Sequence, residues 1–195
     1  MDRSQVEFAK LFQEVKRDFN SNLLFEQLLR MGFFDAPCST QHHLCEYGGL
    51  VEHSVNVCVM ALQIAETVGY TNTDSVIIAS LLHDVGKCGD FGKANYIENY
   101  TVKRDKNGNP IRSESKPFAT NKELLYIPHE VRSIAIIRQF MELTEEEEHA
   151  IYYHNGKYTH TGYDLKETPL QMILHFSDLW SSRVTEKSDE EEKEF

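Results

Sequence analysis

Four residues stand out because their chemistry does not match their apolar neighbours. His53 lies in "GGLVEHS", His83 and Asp84 in "SLLHDVGK", and Asp178 in "ILHFSDLW", where Ile173, Leu174, Phe176 and Leu179 are expected to surround it. Burying such groups without partners is costly. A single buried histidine is ordinarily a hydrogen-bonded core residue, and each of these positions carries that plainer reading alone. Taken together, on three separate helical segments, they supply the imidazoles and carboxylates that a divalent transition metal takes. One cation would make the burial of all four acceptable. Two further histidines lie at predicted helix ends. His129 follows Pro128 at a helix start, and His154 ends a helix in "YYHNGKY". The plainer alternatives are a helix-start residue and a side chain favoured near a helix C-terminus.

Helices must position these groups. Apolar spacing predicts helices over Val6–Phe19 and Leu23–Met31. "LVEHSVNVCVMALQIAETVG" reads as a helix closed by Gly69. Thr73 is a candidate N-cap for "DSVIIASLLHDVG", whose apolar residues are too dense for a surface helix, so this one is central. Polar, β-prone runs flank an Asn-Gly between residues 96 and 118, which signals a hairpin. Helices resume with "HEVRSIAIIRQFMEL". Thr144 and Glu147 form a candidate capping box for the next, which stops at Asn155-Gly156. Thr168 and Gln171 form another, with Pro169 at the first helical position. The predicted class is all-α, a compact helical bundle over residues 1–185 with a small inserted β-hairpin at 96–118. An acidic, disordered tail is expected over 186–195.

Composition narrows the function. The chain has 195 residues, enough for one domain with a sizeable core. No apolar run spans a bilayer, and the charged, amphipathic start lacks a signal-peptide core, so a cytoplasmic protein without membrane partners is expected. Four cysteines without CxxC spacing read as reduced thiols, and Cys88 as a small buried hydrophobe. A net charge of −11 argues against long duplex nucleic acid. Residues 87–138 nonetheless hold ten Lys/Arg against six Asp/Glu. A basic middle in an acidic protein suits a small phosphorylated ligand, although chance fluctuation explains it equally well.

The arrangement H…HD…D, with "GGLVEHS" upstream, Gly-Lys after the doublet and "HFSDL" downstream, resembles the HD superfamily of metal-dependent phosphohydrolases. The resemblance runs from about Pro37 to Arg183. It implies a metal held by His53, His83, Asp84 and Asp178, with Lys87 contacting the substrate phosphate. In two-metal members extra histidines fall in the order of His129 and His154, with Asp84 bridging. The cofactor is then one or two divalent ions among Fe, Mn, Ni, Co and Zn, with Mg admissible. The segment "PCSTQHHLCEYGGLVEHS" is also similar to the HD catalytic domain of bacterial 3′-to-5′ exoribonucleases, whose His-rich loop matches His42 and His43. Those enzymes carry a nucleic-acid-binding domain for which this chain has no room. Its layout resembles the short, single-domain HD proteins of bacteria and their phages.

The resemblance implies metal-activated attack of water on a phosphoester, with Asp84 and Lys87 as catalytic residues. Asp84 or Asp178 orients the water or takes its proton. The expected partner is a small phosphorylated substrate, a nucleotide or short oligonucleotide. The alternatives are a 5′-nucleotidase on nucleoside monophosphates, a cyclic-nucleotide phosphodiesterase, and a non-catalytic metal-binding HD module. Lys87, His43, Lys93 and His160 are the candidate substrate-binding residues; Lys103 and Arg104 are weaker ones. Glu52 and Glu130 adjoin proposed ligands and are candidates to orient them. His175 reads as a supporting residue and His149 as a solvated one. The hairpin is expected to line or cover the cleft.

Overall fold

In the computed structural model, which describes residues 3–156 and 166–186, the apolar-periodic segments form seven α-helices. They are α1 Arg3–Gln13, α2 Ser21–Met31, α3 Gly49–Val68, α4 Thr73–Leu82, α5 His129–Ile137, α6 Glu145–Tyr152 and α7 Pro169–Trp180. The apolar density of α4 has the predicted consequence. Every residue from Ser75 to Leu82 is buried, with α1, α3, α6 and α7 packed around the helix. Its Ile77, Ile78, Leu81 and Leu82 are fully enclosed. Each such side chain contributes about 1.5–3 kcal/mol through burial. The expected helical class holds.

Several boundaries differ from the predicted ones, each for a local reason. Helix α1 stops at Gln13 rather than Phe19. The backbone N–H groups of Lys16 and Arg17 donate instead to the Asp74 carboxylate (3.1 and 2.8 Å), which draws the chain across the start of α4. The N-cap of α4 is Asn72, one residue before Thr73, and its side chain accepts from Ser75 N at 3.2 Å. Helix α5 ends at Ile137, where the amides of Gln139 and Phe140 switch to carbonyls three residues back. The Thr144–Glu147 capping box is complete. At α7 only half the predicted box forms. Thr168 Oγ1 accepts from Gln171 N at 3.3 Å, whereas the Gln171 amide donates to Tyr153 O at 3.1 Å and ties α7 to the end of α6.

Strands occupy the predicted stretch and a little more. β3 (Tyr96–Glu98) pairs antiparallel with β6 (Phe118–Thr120), and β4 (Tyr100–Arg104) with β5 (Pro110–Arg112). The two pairs are separate two-stranded sheets, and between β4 and β5 the Asp105 carboxylate accepts from Asn107 N and Asn109 N at 2.8 Å each. A third, very short pair, β1 (Gly89–Asp90) with β2 (Lys93–Ala94), was not anticipated. No described helix is long and apolar enough to cross a membrane. The four cysteines are free thiols, and burial pushes Cys88 up to about 12.

Two expectations about polarity fail. His149 is half-buried and packs against Tyr153 (centroids 4.9 Å apart, rings tilted by 47°) rather than standing in solvent. Phe176 and Leu179 do not enclose Asp178; they face outward, 49% and 36% exposed.

One buried polar knot joins the segment after α1 to α4 and α6. The fully enclosed Glu147 carboxylate accepts from Arg17 Nη2 (2.9 Å), Ser75 Oγ (2.6 Å) and Thr144 N (2.8 Å). Glu147→Ala would strand these donors and should cost about 3 kcal/mol in urea unfolding. An unchanged midpoint would show that the knot contributes nothing.

Candidate metal centre

The regular part of α4 ends at Leu82, so the His83-Asp84 doublet sits at the exit of the most buried helix. His83 caps that helix, and its Nδ1 donates to Ser80 O (2.8 Å), one of the carbonyls left without an intrahelical partner. This bond turns Nε2 toward Asp84, 3.4 Å from Oδ2. His154 repeats the device at the end of α6. Its Nδ1 donates to Ile151 O (2.7 Å), and Nε2 lies 3.6 Å from Asp84 Oδ1. His53, in the first turns of α3, directs Nε2 to Asp178 Oδ1 (3.2 Å) and Asp84 Oδ2 (3.5 Å). His129, the first residue of α5, places Nε2 3.2 Å from Asp84 Oδ1 and 3.4 Å from His154 Nε2.

Two glycine features shape the approach of these elements. Gly48 takes a left-handed conformation (φ 82°) before α3, and a Cβ on Gly49 would lie 2.1 Å from Leu44 O. Gly86 allows close packing, since a Cβ there would lie 2.2 Å from His129 O. Gly86 N also donates to Ser133 Oγ at 2.8 Å, which fixes the start of α5, and with it His129, against the doublet.

All six predicted ligands therefore converge, and they divide by the oxygen of Asp84 they face. Oδ2 faces His53 and His83, with Asp178 beside them; Oδ1 faces His129 and His154. His53–His83–Asp178 and His83–Asp84–His154 are both groups whose donor atoms lie close enough to share an ion, as is His129–Glu130–His154. The donor set fits a transition metal on a separate ground. Buried His53 Nε2, His83 Nε2 and Asp84 Oδ1 have no hydrogen-bond partner among the described residues. Orphaned lone pairs of this kind are costly unless a cation takes them.

The electrostatics agree. Burial opposes ionisation of Asp84, but Lys87, His83 and His129 outweigh it and hold the carboxyl well below the usual carboxylate range. Asp178 is likewise held low, against its burial, by the adjacent His53 imidazole. Burial and the neighbouring His83 push His154 down to about 3, so it is a neutral imidazole with an available lone pair. Burial also opposes protonation of His53, yet Cys38, Asp178 and Glu186 prevail and hold it well above the ordinary histidine value.

Glu186 is the residue that sequence reading missed. It was placed in the solvated tail; the rest of that tail lies outside the described residues. A wide turn over Ser181–Thr185, closed by Glu186 N to Ser181 O (2.9 Å), returns it to the core. Its carboxylate accepts from His53 Nδ1 (2.9 Å) and Asn56 Nδ2 (3.0 Å). This fixes the His53 tautomer, a role expected of Glu52. The six acids of the tail hid the signal, and only the fold separates Glu186 from the others. Glu130 is buried, accepts from Asn155 Nδ2 (2.9 Å), and lies 3.5 Å from His129 Nδ1. The same Asn155 nitrogen is 3.1 Å from His154 Nε2.

The remaining candidates scatter. Lys87 Nζ is 2.6 Å from Asp84 Oδ2, which holds its pKa well above normal despite burial. His43 packs against His53 (centroids 5.3 Å), with Nε2 3.5 Å from Cys38 Sγ and 3.8 Å from Glu186 Oε2. His42 is exposed. Lys93 is not brought to the centre; its Nζ donates to Glu123 O at 2.9 Å. Lys103 and Arg104 stand exposed on β4, so the basic middle of the sequence does not gather in space. His160 lies outside the described residues. His175 supports the site from behind, donating Nδ1–H to His154 O at 2.7 Å.

A family model described as HD domain matches residues 50–192, a span that contains every residue of the centre. The chain belongs to the HD-domain family, whose members are in general metal-dependent phosphohydrolases. No curated protein and no solved structure matches it significantly.

Because Glu186 sets the orientation of His53, Glu186→Gln should weaken metal affinity about 10–100-fold in chelator competition. Affinity equal to wild type would remove that role. Metal uptake must also expel the proton held on His53. Affinity should therefore rise with pH as His53 deprotonates, and calorimetry in buffers of different ionisation enthalpy should register proton release.

Proposed function

We propose that this chain is a metal-dependent phosphohydrolase that cleaves a phosphoester of a nucleotide or short oligonucleotide with an activated water. The observation that carries the reading is the enclosed Asp84 carboxylate, with one oxygen turned to His53 and His83 and the other to His129 and His154. Such a carboxylate would suit two divalent ions, which His53, His83, Asp84 and Asp178 would hold on one side and Asp84, His129 and His154 on the other. Imidazole with carboxylate admits Fe, Mn, Ni, Co or Zn. When bound, the ions supply Lewis-acid polarisation of the phosphoryl group and lower the pKa of the attacking water.

The chain's own groups do the rest. Asp178 is the acid more open to the cleft, its side chain 17% exposed against 1% for Asp84. It is placed to orient the water and take its proton. Asp84 holds the centre together. Lys87, 18% exposed, balances Asp84 and is positioned to meet a phosphate oxygen and offset the charge that develops on it. The next residue, Cys88, donates Sγ–H to Val85 O (2.9 Å) across the same turn.

A screen of phosphomonoesters and phosphodiesters with manganese, nickel, cobalt and magnesium should reveal turnover. Asp84→Asn should abolish both metal uptake and turnover. Lys87→Ala should keep its metal and lose about a hundredfold in kcat. Full activity in the Asp84 variant, or no hydrolysis with any metal, would refute the reading.

A further inference from the structure

A groove of about 530 Å³ lies on the outside of the bundle between α3 and α7. Met60 and Ile64 of α3 line one side. Phe176, Leu179 and Trp180 of α7, with Arg183 and Val184 of the turn that follows, line the other. None of these is a ligand of the metal centre. We propose that the groove is where a second copy of this chain docks across a two-fold axis, and that docking braces the turn that delivers Glu186 to His53. The inference does not depend on which reaction the centre performs.

The pattern of α7 is the first argument. Leu170, Ile173 and Leu174 bury one side of the helix. Met172, Phe176, Leu179 and Trp180 recur at i, i+4, i+7 and i+8 on the other, and stay 39%, 49%, 36% and 52% exposed. Val184 continues the stripe at 53%. A surface helix turns polar residues outward, and a helix apolar on both sides is a buried one. Among the described residues nothing covers this side.

Area and shape give the second argument. The exposed parts of these five side chains, with Met60 and Ile64, amount to roughly 500 Å², a size at which an apolar patch is often functional. A two-fold contact of ordinary size takes about 800 Å² from each partner, about 65% of it apolar in homodimers. The apolar share is therefore about what this face exposes. A two-fold contact also requires one patch to serve as both knob and hole. Half-exposed Phe176 and Trp180 stand on the wall of a groove that has room for their counterparts.

Charge is the third argument and selects the partner. The chain carries 31 acids and a net charge of −11, so two copies repel wherever their carboxylates meet. No acid is among the described lining residues of the groove, and Arg183 is their one charged member. Two copies can meet here without bringing carboxylates together, whereas a basic partner would find no anion to pair with.

The contact falls on a turn that serves the metal centre. Arg183 and Val184 belong to Ser181–Thr185, which is closed by Glu186 N to Ser181 O (2.9 Å). Glu186 then accepts from His53 Nδ1 at 2.9 Å. A copy packed on Val184 restrains this turn before the metal binds, so less ordering is left for binding to impose.

Trp180 is the only tryptophan in the chain, so its fluorescence reports this face alone. Sedimentation velocity on the full chain should show a dimer with a Kd of about 10 µM or tighter. Trp180 emission should move to the blue as the dimer forms. Salt should tighten the dimer, because it screens the repulsion between copies. Trp180→Glu and Val184→Glu should each weaken it about tenfold or more, whereas Val102→Glu on exposed β4 should not. A chain monomeric well above that concentration, or a dimer whose formation leaves Trp180 emission unchanged, would overturn the docking. Emission that shifts only with vesicles of phosphatidylcholine and phosphatidylglycerol would also overturn it and assign the face to a lipid surface. In chelator competition the dimer should hold manganese more tightly than the diluted monomer, and equal affinities would overturn the bracing.

Discussion

The structure turns on a single enclosed carboxylate. Asp84 sits just past the C-terminal end of α4, where the helix already presents unpaired carbonyls and partial negative charge. A buried anion at that point is disfavoured both by lost hydration and by the helix itself. Nothing apolar in α4 can offset this. The offset comes from outside the helix: Lys87 one turn on, and four imidazoles delivered by α3, α4, α5 and the end of α6. The bundle is arranged so that these ends meet.

That arrangement uses the unsatisfied ends of helices as parts of the site. The final turns of α4 and α6 each offer a carbonyl that anchors the Nδ1 of the next histidine, so His83 and His154 point the opposite nitrogen inward. His53 has no such carbonyl, and the wide turn after α7 supplies the Glu186 carboxylate instead. His129 is positioned by backbone contact, because Gly86 lets the start of α5 approach closer than any side chain would permit. Each nitrogen is oriented by a different part of the scaffold, yet all converge on the same two oxygens.

Much of this was legible in the sequence. His53, His83, Asp84 and Asp178 declared themselves by being polar among apolar residues, and the density of α4 declared that it was central. His129 and His154 were legible only through the order of the extra histidines that the family resemblance implies, because a place at a helix end carries a plainer reading of its own. What could not be read was anything that depends on a fold bringing distant residues together. Glu186 looked like the first residue of an acidic tail, because a local run of acids reads as solvated. The basic middle stretch suggested a phosphate-binding surface, yet Lys93, Lys103 and Arg104 point elsewhere and Lys87 alone reaches the centre. Phe176 and Leu179 had helical spacing compatible with either face, and packing put them outside.

The central claim is that Asp84 bridges two cations. Its most direct test is anomalous diffraction from crystals grown with manganese or nickel. The account predicts two anomalous peaks about 3.5–4 Å apart, one on each oxygen of Asp84. The first should lie among His53, His83 and Asp178, and the second between His129 and His154. A fully loaded crystal with no metal on Asp84, or with ions bound away from these histidines, would contradict it.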